Sequence, residues 1–93
     1  MFKTNEYFDG KVKSISFTSS EEPATVGVMA VGEYEFGTDS IEIMSVISWS
    51  MDLKLTGSDS WQTFSAGEQF EVAKGVKFRV RISVETSYLC LYK

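Results

Sequence analysis

Short runs of alternating apolar and polar residues dominate the chain. The alternation is clearest where Phe78, Val80 and Ile82 lie between charged residues. A period of two places every second side chain on one face of a β-strand. No window shows the 3.6-residue repeat of an amphipathic helix, so the pattern predicts an all-β fold. The predicted extended runs are Lys11–Thr18, Ala24–Val31, Glu33–Phe36, Ile41–Ser48, Met51–Leu55, Trp61–Phe64, Gln69–Val72, Lys77–Val84 and Ser87–Tyr92.

Turn-forming residues separate these runs. Thr56–Ser60 is the clearest turn, and Ser19–Pro23 is a polar turn that holds the only proline. Eight or nine short strands at spacings of about 8–12 residues are typical of a β-sandwich or a β-barrel. A chain of 93 residues suits a single domain, 1–93. A domain of this size must hide its strand edges, and closure into a barrel does so most completely.

Composition adds the cellular setting. Hydrophobic residues make up 43% and charged residues 24%, a globular balance. Apolar stretches such as Val26–Val31 and Ile43–Ile47 are too short to span a bilayer, so no membrane association is expected. The first residues contain no apolar signal-peptide core, which predicts a cytoplasmic protein. The one cysteine, Cys90, lies in an apolar run and is predicted to be a buried structural thiol.

The charges argue against a nucleic-acid partner. The net charge is −4, and the one basic cluster consists of Lys77, Arg79 and Arg81. On a strand these three side chains share a face. A solvated outer face is the favoured interpretation, and a phosphate-binding or subunit-contact stripe is the alternative.

The absence of histidine narrows the chemistry. It excludes a Ser-His-Asp triad and a histidine-bound metal, and the chain has neither a glycine-rich phosphate loop nor a cysteine pair. A metal site built from carboxylates alone would need clustered acids, and the best candidates are Glu33, Glu35, Asp39 and Glu42. A solvated strand edge is the favoured interpretation of these acids, so no metal and no cofactor are expected. Glu42 is the carboxylate that stands apart, because it shares a strand face with Met44 and Val46. It is either an ordinary exposed charge or a carboxylate aimed into a barrel lumen, where burial raises its pKa.

Two segments resemble the motifs of the cupin superfamily. Gly67–Phe78 resembles the second cupin motif, with Ala73 in place of the usual proline and Phe78 in place of the metal-binding histidine. Glu42 occupies the position of the first motif's glutamate, and Trp49 stands where a cupin often has glycine. The resemblance implies a single-domain, RmlC-like jelly-roll barrel of the cupin type whose metal cage is lost.

A narrower resemblance covers about residues 4–92. The segments Asn5–Ser14, Val26–Met29, Gly32–Tyr34 and Thr86–Cys90 resemble the small cupin-fold pyrimidine/purine nucleoside phosphorylases. That family implies a homodimer that cleaves several nucleosides with inorganic phosphate, giving the free base and ribose 1-phosphate. Two other functions stay open: a non-catalytic cupin that binds small ligands, and a sugar-processing cupin with Glu42 as its base.

The expected site residues follow from the same resemblance. Glu42 is the expected catalytic residue, holding ribose hydroxyls or interacting with the base. The aromatic residues expected to stack on the base or line the pocket are Tyr34, Phe36 and Phe78, although packing in the barrel core also explains each of them. The polar residues expected to bind phosphate or ribose are Lys13, Thr38 and Ser45, with Lys11 and Ser14 as alternatives.

Overall fold

The computed structural model describes residues 1–93 as ten β-strands. The strands are β1 (Lys3–Tyr7), β2 (Val12–Ser19), β3 (Glu22–Met29), β4 (Gly32–Gly37), β5 (Glu42–Val46), β6 (Ser50–Leu55), β7 (Gln62–Ser65), β8 (Gln69–Val72), β9 (Lys77–Ile82) and β10 (Thr86–Tyr92). The all-β prediction is confirmed. The structure contains no helix of the length and hydrophobicity that crossing a bilayer requires.

The strands form two antiparallel sheets. The larger sheet has six strands in the order β1-β2-β3-β10-β5-β8, and the smaller has four in the order β4-β9-β6-β7. Fourteen buried residues from both sheets form one hydrophobic cluster. The sheets thus pack face to face, as in a sandwich. Strand pairing does not join them into one closed barrel, so that part of the expectation is not confirmed.

Strand β9 shows how alternation builds the core. Phe78 is 1% exposed and lies in the core with Val80 and Ile82, whereas the basic residues between them are exposed. Arg79 pairs with Glu35 of β4 at 3.6 Å, and Arg81 pairs with Asp52 of β6 at 3.1 Å. The three basic side chains therefore lie on the exposed outer face of the smaller sheet, where Arg79 and Arg81 are ion-paired.

Two local features differ from the sequence prediction. Strand β1 was not predicted, because it is a polar edge strand that pairs only with β2 and buries no face. Pro23 lies within β3 opposite Thr18, so it does not belong to the turn. The turn consists of Ser20 and Glu21, whose φ angles of 48° and 72° give the left-handed pair that tight hairpins favour.

Trp49 has a left-handed backbone conformation, which is unusual for a bulky residue. Its φ is 62°, in the left-handed region that glycine adopts at little cost. The side chain is 56% exposed in the loop between β5 and β6.

Candidate active site

A cavity of about 360 Å³ opens near the ends of β4 and β5. Its volume lies in the lower part of the range for small-molecule sites. The residues with polar side-chain atoms in its lining are Tyr7, Ser14, Glu35, Glu42, Tyr88 and Tyr92. The remaining lining residues are Phe8, Met29, Phe36, Gly37, Met44 and Phe78. Aromatic and apolar walls with a few convergent oxygen atoms suit a small organic ligand that carries hydroxyl groups.

Glu42 is the half-buried carboxylate of the cavity. It begins β5 and lies opposite Tyr92 of β10, so the backbone ladder fixes its position. Burial raises the pKa of Glu42, and the negative charge of Asp39 raises it further. A hydrogen bond from the Cys90 thiol, with Sγ 3.6 Å from Oε1, lowers the pKa in part. This carboxylate is a hydrogen-bond acceptor when ionised, and it binds a proton more readily than an exposed glutamate.

Cys90 supports Glu42 from within the sheet. The thiol is fully buried, as predicted, and burial raises its pKa to about 12. A thiol with this pKa stays protonated near neutral pH, so it serves as a donor to Glu42 and not as a nucleophile.

A close approach of backbone and side chain positions Tyr88. A Cβ atom added to Gly27 would lie 2.7 Å from the Tyr88 hydroxyl oxygen and 2.5 Å from the Lys13 carbonyl oxygen. Glycine at this position therefore lets the phenol cross β3 toward Ser14. The Asn5 side chain donates to the Ser14 hydroxyl at 3.2 Å. Burial raises the pKa of Tyr88 to about 12, so its hydroxyl is a proton-bearing donor.

Tyr92 is held at the other end of the cavity. Its hydroxyl lies 2.9 Å from the hydroxyl of Thr25 on the neighbouring β3. Burial also raises the pKa of Tyr92, which keeps the phenol protonated. Tyr92 and Tyr88 share a strand face two residues on either side of Cys90, so β10 presents three polar groups inward.

Aromatic rings form one wall of the cavity. Phe36 lies 5.6 Å from Phe78 and 5.6 Å from Phe8, measured between ring centroids. Tyr34 packs behind this wall, 5.0 Å from Phe8, and does not line the cavity. Its hydroxyl donates to the Ala30 carbonyl at 2.7 Å, which satisfies the buried phenol within the protein.

Four of the residues named from the sequence meet in the cavity: Glu42, Phe36, Phe78 and the alternative donor Ser14. Thr38 lies outside it and is engaged in the fold. Its buried hydroxyl donates to the Ala73 carbonyl at 2.7 Å and accepts from the Val76 amide at 3.1 Å.

Ser45 and Lys13 lie on the outer face of the larger sheet. Ser45 lies between the buried residues Met44 and Val46, and its hydroxyl donates to Gln69 at 3.4 Å. Lys13 pairs with Glu6 at 3.3 Å in solvent. Since successive side chains of a strand point to opposite faces, neither side chain reaches the cavity.

Several lining residues were missed from the sequence. Tyr88 and Tyr92 share a strand face with Cys90, and strand alternation was the signal that could have found them. Tyr7 and Phe8 belong to the end of a polar edge strand and its turn, where no periodic signal exists. No three metal-ligating side chains come together in the structure.

The fold and the cavity define a cupin-like all-β protein with a pocket for an organic ligand. An RmlC-like cupin from Shewanella frigidimarina superposes with a TM-score of 0.76, covering 98% of this chain and 82% of that one, at 16% identity. A protein of unknown function from Vibrio parahaemolyticus superposes with a TM-score of 0.96 at 40% identity, covering 100% of this chain and 99% of that one.

Sequence similarity then identifies the family. The family model described as pyrimidine/purine nucleoside phosphorylase matches residues 2–92. A relative from Pseudomonas putida (strain W619), named pyrimidine/purine nucleoside phosphorylase, is 60% identical over 93 residues, which cover all of this chain and 99% of that protein. The chain belongs to the pyrimidine/purine nucleoside phosphorylase family.

Proposed function

We propose that this protein is a broad-specificity nucleoside phosphorylase that uses inorganic phosphate to cleave nucleosides into the free base and ribose 1-phosphate. The observation that carries the proposal is the half-buried carboxylate of Glu42 in a cavity walled by aromatic rings. Family membership supports the same activity. A nucleoside needs both features, since its base is flat and apolar on its faces and its sugar carries hydroxyl groups.

The chemistry suits a site built from oxygen atoms and aromatic rings. The bond between C1′ of the ribose and the base nitrogen breaks, and its electron pair leaves with the base. A phosphate oxygen then bonds to C1′, and the proton that hydrogen phosphate gives up passes to the nitrogen of the departing base. Positive charge develops on the sugar ring in the transition state, and a fixed negative charge nearby stabilises it. Ionised Glu42 supplies that charge and accepts hydrogen bonds from ribose hydroxyls.

The remaining lining groups position the substrates. Phe36, backed by the buried ring of Phe78, provides apolar contact for the base, and stacking tolerates base identity because every base has a π-face. Ser14 is the one hydroxyl of the polar set expected from the sequence that lines the cavity, and we assign it to the phosphate or ribose. Positioning of this kind accounts for a large part of the rate enhancement in reactions of two bound substrates.

We also infer that the protein is a homodimer joined through the outer face of its larger sheet. Ile15, Val26 and Val28 lie on neighbouring strands of that face with large parts of their side chains in solvent. Contiguous exposed apolar surface of this kind marks interaction sites. Sedimentation equilibrium measures the assembly, and a monomer at micromolar concentration would contradict this part of the proposal.

The decisive experiment is turnover with and without phosphate. The purified protein is incubated with uridine or inosine, and chromatography follows the free base while an enzymatic assay follows ribose 1-phosphate. We expect both products in equal amounts, and neither product when phosphate is omitted. No release across a panel of nucleosides would refute the enzyme and favour a non-catalytic ligand-binding cupin. Activity that a chelator abolishes and a divalent ion restores would contradict the metal-free site.

A further inference from the structure

Phe8 adopts a backbone conformation that is unusual for an aromatic residue. Its φ is 53°, and Asp9 and Gly10 follow at 57° and 84°, so three successive residues are left-handed. The turn connects β1 to β2 and is closed by hydrogen bonds from the Gly10 amide to the Tyr7 carbonyl and from the Lys11 amide to the Phe8 carbonyl, both 3.2 Å. Glycine and, less readily, aspartate or asparagine adopt this conformation, whereas a bulky residue is strained in it.

The Phe8 ring lies at the mouth of the cavity. It is part of the lining, and the residue is 43% exposed. Its centroid is 5.0 Å from that of Tyr34, and it meets Phe36 edge to face at 5.6 Å with an interplanar angle of 87°. Two rings thus hold Phe8 in place, while a large part of it remains open to solvent and to the cavity.

Packing alone does not account for this residue. Strained backbone persists at positions where the surrounding structure holds it, and such positions cluster at ligand-binding sites. A glycine or asparagine in the same turn would relieve the strain, and the core is already filled by fully buried rings such as Phe78. A strained, half-exposed aromatic residue that lines a cavity is better explained by contact with a ligand.

We propose that Phe8 is a specificity-determining residue that forms the stacking wall for the nucleobase at the cavity mouth. The inference rests on the proposed function, because it places a nucleoside in the cavity with its sugar toward Glu42. Glu42 is half-buried in the cavity and Phe8 is partly open to solvent, so a nucleoside with its sugar on Glu42 has its base toward the open end. Phe8 and its neighbour Tyr7 are the two most exposed aromatic residues of that lining, and of the two Phe8 is the one whose ring packs against Tyr34 and Phe36.

This arrangement explains how one site accepts bases of two sizes. An enclosed pocket contacts the edges of a base and so restricts its size, whereas a single ring at an open cavity mouth contacts only the face of the base. Both one-ring and two-ring bases stack on such a wall. Stacking depends on overlap area, so the larger purine depends more on Phe8 than the pyrimidine does.

Calorimetric titration with inosine and with uridine, in the absence of phosphate, tests the wall by binding alone. Phe8→Leu keeps apolar bulk and the same backbone strain but removes the π-face, and Phe8→Gly removes the ring and relieves the strain. We expect both variants to weaken inosine binding by about 5- to 150-fold, the range known for base–aromatic stacking, and uridine binding by less. Phe8→Trp keeps a π-face and should bind close to the wild-type protein.

The control is Trp61→Ala, which removes an aromatic ring that lies 4.2 Å from the Arg81 guanidinium and outside the cavity lining. Its nucleoside affinity should equal that of the wild-type protein. Affinities of folded Phe8→Leu within twofold of wild type for both nucleosides would overturn the inference. A wild-type protein that binds nucleosides but does not cleave them would refute the proposed activity, and the affinity ratios would still decide the role of Phe8. A wild-type protein that binds neither nucleoside would overturn both.

Discussion

Replacing Gly27 with alanine adds one methyl group at the most crowded point beside the cavity. The new Cβ would lie 2.5 Å from the Lys13 carbonyl oxygen, 2.7 Å from the Tyr88 hydroxyl oxygen and 2.9 Å from Ser14 Cβ. Real Cβ contacts are not this short, and one of the three atoms belongs to the backbone of the paired strand β2. The sheet must therefore shift locally, and the phenol must leave its place.

The structure sets the size of the effect. Forcing one extra methyl into a packed interior costs about 1–3 kcal/mol. For a domain of this size each kcal/mol lowers Tm by about 4–8 °C, so Gly27→Ala should lower Tm by about 4–24 °C. Because Tyr88 lines the cavity, kcat/KM for nucleoside cleavage should fall as well.

Thermal unfolding by circular dichroism and steady-state kinetics measure both effects. Gly37→Ala is the matched control, because the same methyl group added there meets no atom within 4 Å although Gly37 also lines the cavity. Its Tm should stay within a few degrees of the wild-type value. A Gly27→Ala protein that melts with the wild type and cleaves nucleosides at the wild-type rate would refute the close-approach argument.

Substitutions at three further positions test other parts of the structure. Burial raises the pKa of Glu42 above its ordinary value of 4.5, so the stability that this group contributes is full below pH 4.5 and is lost as the pH rises through the folded-state pKa. Glu42→Gln should therefore be more stable than the wild-type protein at pH 7 but not at pH 4. In both Glu42→Gln and Glu42→Ala, kcat/KM for nucleoside cleavage should fall at least tenfold. Wild-type activity in either folded variant would show that Glu42 is not part of the site. Tyr34→Phe removes the hydrogen bond to the Ala30 carbonyl and should lower the free energy of unfolding, measured with denaturant, by about 1–2 kcal/mol. The KM for nucleosides should stay unchanged. A raised KM would instead assign Tyr34 to substrate binding. Thr38→Val should lower the free energy of unfolding by about 1–3 kcal/mol, because the Ala73 carbonyl and the buried Val76 amide lose their hydrogen-bond partner. Thr38→Ser keeps the hydroxyl and should retain most of that stability. Equal losses in the two variants would contradict the hydrogen-bond argument.

Alternation carried much of the information that the sequence held about this site. It predicted that Phe78 points inward and its basic neighbours outward, and the structure confirms both. The same rule places Lys13 and Ser45 outside the cavity, since each lies between two buried residues. A polar residue type alone therefore does not place Lys13 or Ser45 at the ligand.

Other parts of the site had no signal in the sequence. Phe8 lies in the turn after β1, the edge strand of the larger sheet. Its ring reaches the cavity because it packs against Phe36 of β4, the edge strand of the smaller sheet. Thr38 carries a hydroxyl of the kind that binds ligands, yet this hydroxyl forms hydrogen bonds with the backbone of Ala73 and Val76. Both outcomes depend on contacts between segments distant in the chain, which no local pattern specifies.

The two halves of the site are attached to parts of the fold that differ in how readily they open. Glu42 lies on β5, which is hydrogen-bonded on one side to β10 and on the other to β8, whereas Phe8 follows β1, the outermost strand of the same sheet. Amide hydrogens of β5 and β10 should therefore exchange far more slowly than those of β1, because edge segments open at lower free energy than central strands. On mild warming, β1 and the turn that holds Phe8 should open first, while Glu42 is still held in the sheet. The KM for nucleosides should therefore rise before kcat falls.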